Sequence, residues 1–117
     1  MESYRELIVW QKSMDLVECV YGLAKLLPDN ERFMLSAQLC RAAVSIPSNI
    51  AEGYGRSATK EYIRFLKIAR GSNYEVETQL LICVRLHYLS ENDIKKALSI
   101  CGELSKMLSS LITKLSA

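Results

Sequence analysis

Histidine and proline are nearly missing from this chain: His87 stands alone, and Pro28 and Pro47 are the only prolines in 117 residues. Aspartate is confined to Asp15, Asp29 and Asp93, and there are 5 glycines. So few breakers argue against an all-β fold, which needs one at nearly every turn. So little histidine and aspartate works against most hydrolytic, metal-dependent and acid–base enzymes. No apolar run approaches the ~18 residues of a membrane span. The start, Ser3-Tyr4-Arg5 leading into an amphipathic segment, does not read as a signal peptide, so a cytoplasmic protein is expected. Cys19, Cys40, Cys83 and Cys101 form no CxxC pair and match no zinc spacing. They read as small hydrophobes in a reducing compartment, one on each of four helices.

What is present is helical. Hydrophobic residues make up 50% of the chain and charged residues 24%, a globular composition in a chain of single-domain length, here taken as residues 1–117. In the first segment Leu7, Trp10, Met14, Val17, Tyr21 and Ala24 recur at spacings of three and four, an apolar seam that ends at Pro28. The second segment runs from about Glu31 to Gly53 and carries two apolar lines. One is Phe33, Ala37, Cys40, Val44, Pro47 and Ile50; the other is Leu35, Leu39, Ala42 and Ile46. A helix apolar on two sides is buried on two sides, and in so small a protein the second cover is expected from another subunit. Pro47 removes a backbone donor and is read as a kink in a continuous helix. A break and restart near Ser48, with Asn49 and Glu52 at capping-box spacing, is the competing reading.

A third segment is predicted from a cap at Thr59 to about Leu89. Its core line is Tyr62, Phe65, Leu66, Ala69, Val76, Leu80, Cys83, Val84 and His87, with the histidine read as an interior one, and Gly71 is its weak point. Ser90 caps the fourth segment with Asp93 at N3, and its stripe is Ile94, Leu98, Cys101, Leu104, Leu108, Leu111 and Leu115. Four long amphipathic helices with short connections predict an all-α, up-down-up-down antiparallel four-helix bundle.

Charge is the functional hint. The net charge is only +2, yet Arg56, Lys60, Arg64, Lys67 and Arg70 cluster against Glu61 alone. At ~100° per residue these cations fall within an arc of roughly 120°, opposite the apolar line, with Arg85 farther along it. Such a strip suits a phosphate backbone; the plainer reading is a solvated charged face. Around Pro47, the residues Ser45, Ser48, Asn49 and Glu52 are either a polar site or local partners for freed carbonyls and for Arg41 or Arg56. Di-metal carboxylate spacing and phosphate-binding glycine loops are missing from the sequence, so no catalytic residue, metal or cofactor is assigned.

The stretches YRELIVWQKSMDLV (4–17), CRAAVSIPSNIAEGYGRS (40–57) and TKEYIRFLKIARGSNYEVETQLL (59–81) resemble the 23S rRNA intervening-sequence protein family over nearly the whole chain. Its members are small bacterial four-helix bundles, described as ribosomal-protein-like and often encoded within insertions in 23S rRNA genes. They are similar in fold to the accessory variability protein of diversity-generating retroelements, a pentamer that engages nucleic acid and a reverse transcriptase. The resemblance implies a homopentamer, RNA or DNA binding and no catalytic residues. The matching basic positions are Arg41, Arg56, Lys60, Arg64, Lys67 and Arg70. Cys40 stands where relatives often carry a second basic residue beside Arg41. The leading expectation is a non-enzymatic oligomer that binds structured RNA. The rival is a protein–protein scaffold or adaptor for a reverse transcriptase or ribosome-associated factor.

Overall fold

The periodic aliphatic residues wind the chain into four long helices in a computed structural model that describes residues 3–117. These are α1 (Ile8–Ala24), α2 (Leu35–Tyr54), α3 (Thr59–Arg85) and α4 (Glu91–Ser116), with short 3-10 turns at Tyr4–Glu6 and Asp29–Glu31. Among the described residues there is no strand. Each helix packs on its neighbours in chain order, and α4 closes against α1, giving an up-down-up-down antiparallel bundle of 43 × 23 × 20 Å.

The helix ends follow from local chemistry. Ser90 Oγ accepts from Asp93 N at 3.0 Å and Asp93 Oδ2 accepts from Ser90 N at 2.9 Å, the reciprocal capping box expected at the start of α4. At α3 the expected cap, Thr59, is instead the first helical residue; Ala58 precedes it in an extended conformation without a side-chain cap. The C-terminus of α3 also departs from expectation. The helix stops at Arg85, and His87 adopts a left-handed φ of 63°. Tyr88 N then donates to Cys83 O at 2.9 Å, and His87 N to Val84 O at 3.0 Å. That pair of bonds is a Schellman closure, with histidine in the position glycine usually takes. His87 is therefore exposed at a turn, not in the core. α2 runs unbroken through a buried Pro47, which settles the choice between a continuous and a broken helix.

One apolar cluster draws on all four helices. On α2 the core takes Leu39, Ala42 and Ile46 from the second of the two lines and Pro47 and Ile50 from the end of the first, with Ala43 between them. Phe33 precedes the helix and is 84% exposed, and Val44 is 39% exposed. On α1 the core face is Val9, Ser13, Leu16, Val20 and Leu23. The expected seam lies on the flank of that face, and Met14 and Tyr21 are open to solvent. Both stripes of α1 have helical spacing, so periodicity alone could not choose between them. Core residues on α3 include Phe65, Leu66, Ala69, Val76, Leu80 and Cys83, and on α4 Ile94, Cys101, Leu104 and Leu108. Gly53 of α2 lies against Tyr62 and Phe65, more closely enclosed than any other glycine.

Candidate nucleic-acid interface

The basic residues of α3 sit outward because its apolar line faces the bundle. Lys60, Arg64 and Lys67 are exposed one turn apart on the first half of the helix. Together with Ile63 of α3 and Leu115 and Ser116 of α4, they line a shallow groove of about 520 Å³. Arg70 is half-buried and turns toward α4, donating from Nη1 to Ser109 Oγ at 3.2 Å. Arg56 lies outside the helix, in the connection between α2 and α3. Arg85 is exposed at the far end of α3.

These cations are not equivalent. Arg56 Nη2 lies 3.4 Å from Glu52 Oε1. Arg64 grips Glu61 with both Nε and Nη2 at 3.2 Å. The hydrogen bond from Arg64 holds the Glu61 carboxyl below its usual range, aided by the charges of Arg64, Arg56 and Lys60. The same bond pushes the Arg64 guanidinium up. Arg56 and Arg64 also lie over one ring: their guanidinium carbons stand 4.9 and 4.6 Å from the centroid of Phe65. Tyr54 and Tyr62 meet edge to face beside them, with centroids 6.1 Å apart. Lys60 and Lys67 have no salt-bridge partner among the described residues, and both side chains are exposed.

Arg41 stands apart from this group. It is exposed on α2, beside Ser72 and Glu75 of α3, on the flank of α3 that faces α2. The structure thus brings Lys60, Arg64 and Lys67 onto one face, sets Arg56 and Arg70 at its margins, and places Arg41 on a different side of α3. Around Pro47, Asn49 Nδ2 donates to Ser45 O at 2.8 Å and Ser45 Oγ meets Ser72 Oγ at 2.8 Å, whereas Ser48 is exposed and Glu52 pairs with Arg56. Sequence reasoning missed Phe65 as the platform for two arginines. The spacing of Arg64 next to an aromatic, with Arg56 just before the helix, was the available signal.

Among the described residues no group of three His, Cys, Asp or Glu could hold a metal ion. None of the helices is long and apolar enough to cross a membrane. What the face offers is fixed positive charge with a partly apolar groove beneath it, chemistry suited to phosphates.

A family model described as 23S rRNA-intervening sequence protein matches residues 5–110. Among solved structures, a protein of unknown function from the S23 ribosomal protein family of Bacteroides thetaiotaomicron VPI-5482 superposes with a TM-score of 0.83. It is 27% identical, and the match covers 90% of this chain and 98% of that one. No curated protein matches the chain.

Proposed function

The chain belongs to the 23S rRNA-intervening sequence protein family, and on that premise we propose a non-enzymatic nucleic-acid-binding protein that takes structured, rRNA-related RNA as a closed homo-oligomer. The observation that carries this reading is the cationic face of α3, where Lys60 and Lys67 are exposed and unpaired and Arg64 lies between them. An ordinary solvated helix face mixes signs more evenly. Phosphate contacts from such a row fix a backbone in place and carry little sequence information. Each contact releases condensed counterions, so affinity falls with salt, adding ~0.7 to the log–log slope per phosphate on single strands. Fluorescence anisotropy with mixed-sequence RNA between about 50 and 300 mM salt tests the reading, because screening changes strongly across that range. Binding with a steep salt slope supports it; no binding at the low end overturns it.

The homo-oligomer rests on the α1–α2 face. Trp10, Met14, Val17 and Tyr21 on α1 and Ala37, Cys40 and Val44 on α2 are half-buried or exposed, an apolar stripe on each helix that the bundle itself leaves partly open. A second copy would bury it, and we place five bundles in the closed assembly on the family resemblance. Each contact should bury well over ~1,000 Å². Sedimentation equilibrium showing only the 13.2 kDa chain would end this part of the reading. The same stripe also suits a protein–protein adaptor, and that reading takes the lead if nucleic-acid binding fails.

A further inference from the structure

Arg41 and Glu75 face each other across a notch of about 280 Å³ between α2 and α3, with Gln38 beside them and the Ser45–Ser72 hydroxyl pair at its floor. Both charges are exposed at the rim, yet they form no salt bridge with one another. Behind the rim sits Gln79, only 6% exposed. Its Nε2 donates to Glu75 Oε2 at 3.1 Å and to Gln38 Oε1 at 3.4 Å. That double donation fixes which way the amide points, since the flipped form would set oxygen against oxygen. Gln79 Oε1 is then buried without a partner. A buried acceptor left unpaired costs free energy, and Gln79 stays behind the residues that line the notch, holding Glu75 and Gln38 in place.

We propose that this notch is a base-reading pocket for one unpaired guanine, an inference that rests on the nucleic-acid reading above. The remaining hydrogen-bonding capacity matches guanine. The Glu75 carboxylate has Oε1 free to accept from the adjacent N1–H and N2–H donors of the base. The Arg41 guanidinium is free to donate to the O6 and N7 acceptors, the commonest specific contact to guanine. Adenine and cytosine lack two adjacent donors beside an acceptor, so neither satisfies both charges. Sequence-specific RNA recognition works mainly on splayed bases in loops and bulges, read on these edges. Position supports the pairing of functions. Ser72 and Glu75 lie about two turns beyond Lys67 along α3, on the order of 10 Å at ~1.5 Å per residue. The lysine groove opens between α3 and α4 and the notch between α2 and α3, so a strand held by the lysines reaches the notch by crossing the outer face of α3. Arg41, which the fold separates from the strip, thereby gains a role of its own.

The test uses fluorescein-labelled oligouridine RNA carrying one central guanosine, inosine or adenosine, and the same series in DNA. The native chain should bind the guanosine strand about tenfold more tightly than the inosine strand, which lacks only the N2 amino group. Glu75→Gln should raise affinity for the inosine and adenosine strands by removing a negative charge, and should collapse the guanosine-to-inosine ratio toward one. Arg41→Ala should reduce the guanosine-to-adenosine ratio. A guanosine preference in both RNA and DNA assigns recognition to the base; a preference confined to RNA adds a contact to the sugar. Salt-sensitive binding with equal affinity for all three bases overturns the pocket and leaves the phosphate strip standing. Absence of any binding overturns both. The base series on the native chain needs no variant, so a misfolded mutant cannot obscure the outcome.

Discussion

A Cβ added to Gly53 of α2 would stand 2.6 Å from the Cβ of Phe65 on α3. The two helices meet there backbone to side chain, and the position tolerates nothing larger than hydrogen. Gly53→Ala must push α3 away or tilt it, and overpacking of this kind costs ~1–3 kcal/mol. Gly71 is the control. It lies mid-helix on the open side of α3 with nothing within 4 Å of an added Cβ, so Gly71→Ala should gain ~0.5–1 kcal/mol from helix propensity. Urea unfolding of the two variants should move in opposite directions.

The same contrast shows what could be read from sequence. Leucines and isoleucines at helical spacing, Ser90 three residues before Asp93, and Pro28 after an amphipathic run have local meanings, and the bundle and its capping box followed from them. Gly53 reads as the end of one helix and Gly71 as the weak point inside another; only the approach of Phe65 shows which of them cannot carry a side chain. His87 occupies an apolar register position, but its left-handed φ of 63° depends on where α3 stops. On α1, two adjacent stripes had equal claim to the core, and the choice fell to packing against α2 and α4. The charge of the strip was legible, whereas the pairing of Arg64 with Glu61 and the separation of Arg41 required three-dimensional placement.

Tyr88 Oη donates to Glu31 Oε2 at 2.8 Å, joining the α3–α4 turn to the segment before α2. Glu31 Oε1 in turn accepts from Leu35 N at 3.3 Å, at the first turn of α2. Tyr88→Phe should lower the melting temperature and speed exchange of the Leu35 amide. Glu31→Gln should do the same, and the double variant should fall short of the sum, because both remove one linkage. Strict additivity would show that the two residues act separately.

Burial pushes the Cys101 thiol up to about 12 from an ordinary 9.0, with the charges of Glu77 and Cys19 adding to it. The neutral thiol is the form the fold prefers. Its stabilisation is therefore complete below about pH 9 and is lost as pH rises toward 12. A tenfold change in proton affinity is worth ~1.4 kcal/mol, so stability should drop steeply in that window. Cys101→Ala would cost stability at neutral pH through the cavity it leaves, but its loss between pH 9 and pH 11 should be shallower than that of the native chain. Equal slopes would locate the alkaline transition elsewhere. At pH 8 the buried thiols of Cys83 and Cys101 should resist alkylation until the chain unfolds, and none of the four cysteines should be needed for assembly.

The last expectation concerns how the strip divides its work. Lys67 is exposed without an ion-pair partner, whereas Arg64 is held by Glu61 through two bonds of 3.2 Å. A phosphate approaching Arg64 competes with that carboxylate; one approaching Lys67 does not. Lys67→Ala should therefore weaken RNA binding more than Arg64→Ala and lower the salt slope by ~0.7. Glu61→Gln should strengthen binding at neutral pH by releasing Arg64. Because Glu61 titrates below the usual carboxylate range, the native chain should show the same gain only in acid, once that carboxyl takes up its proton. Arg64→Glu with Lys67→Glu should abolish binding while helicity and oligomer size stay unchanged, since both side chains lie opposite the core of α3. Anisotropy across the series, alongside circular dichroism and sedimentation, separates the outcomes. If the double reversal binds as tightly as the native chain, the strip is a solvated face. If it binds weakly but also dissociates the oligomer, the charges serve assembly, and RNA contact must lie elsewhere on the bundle.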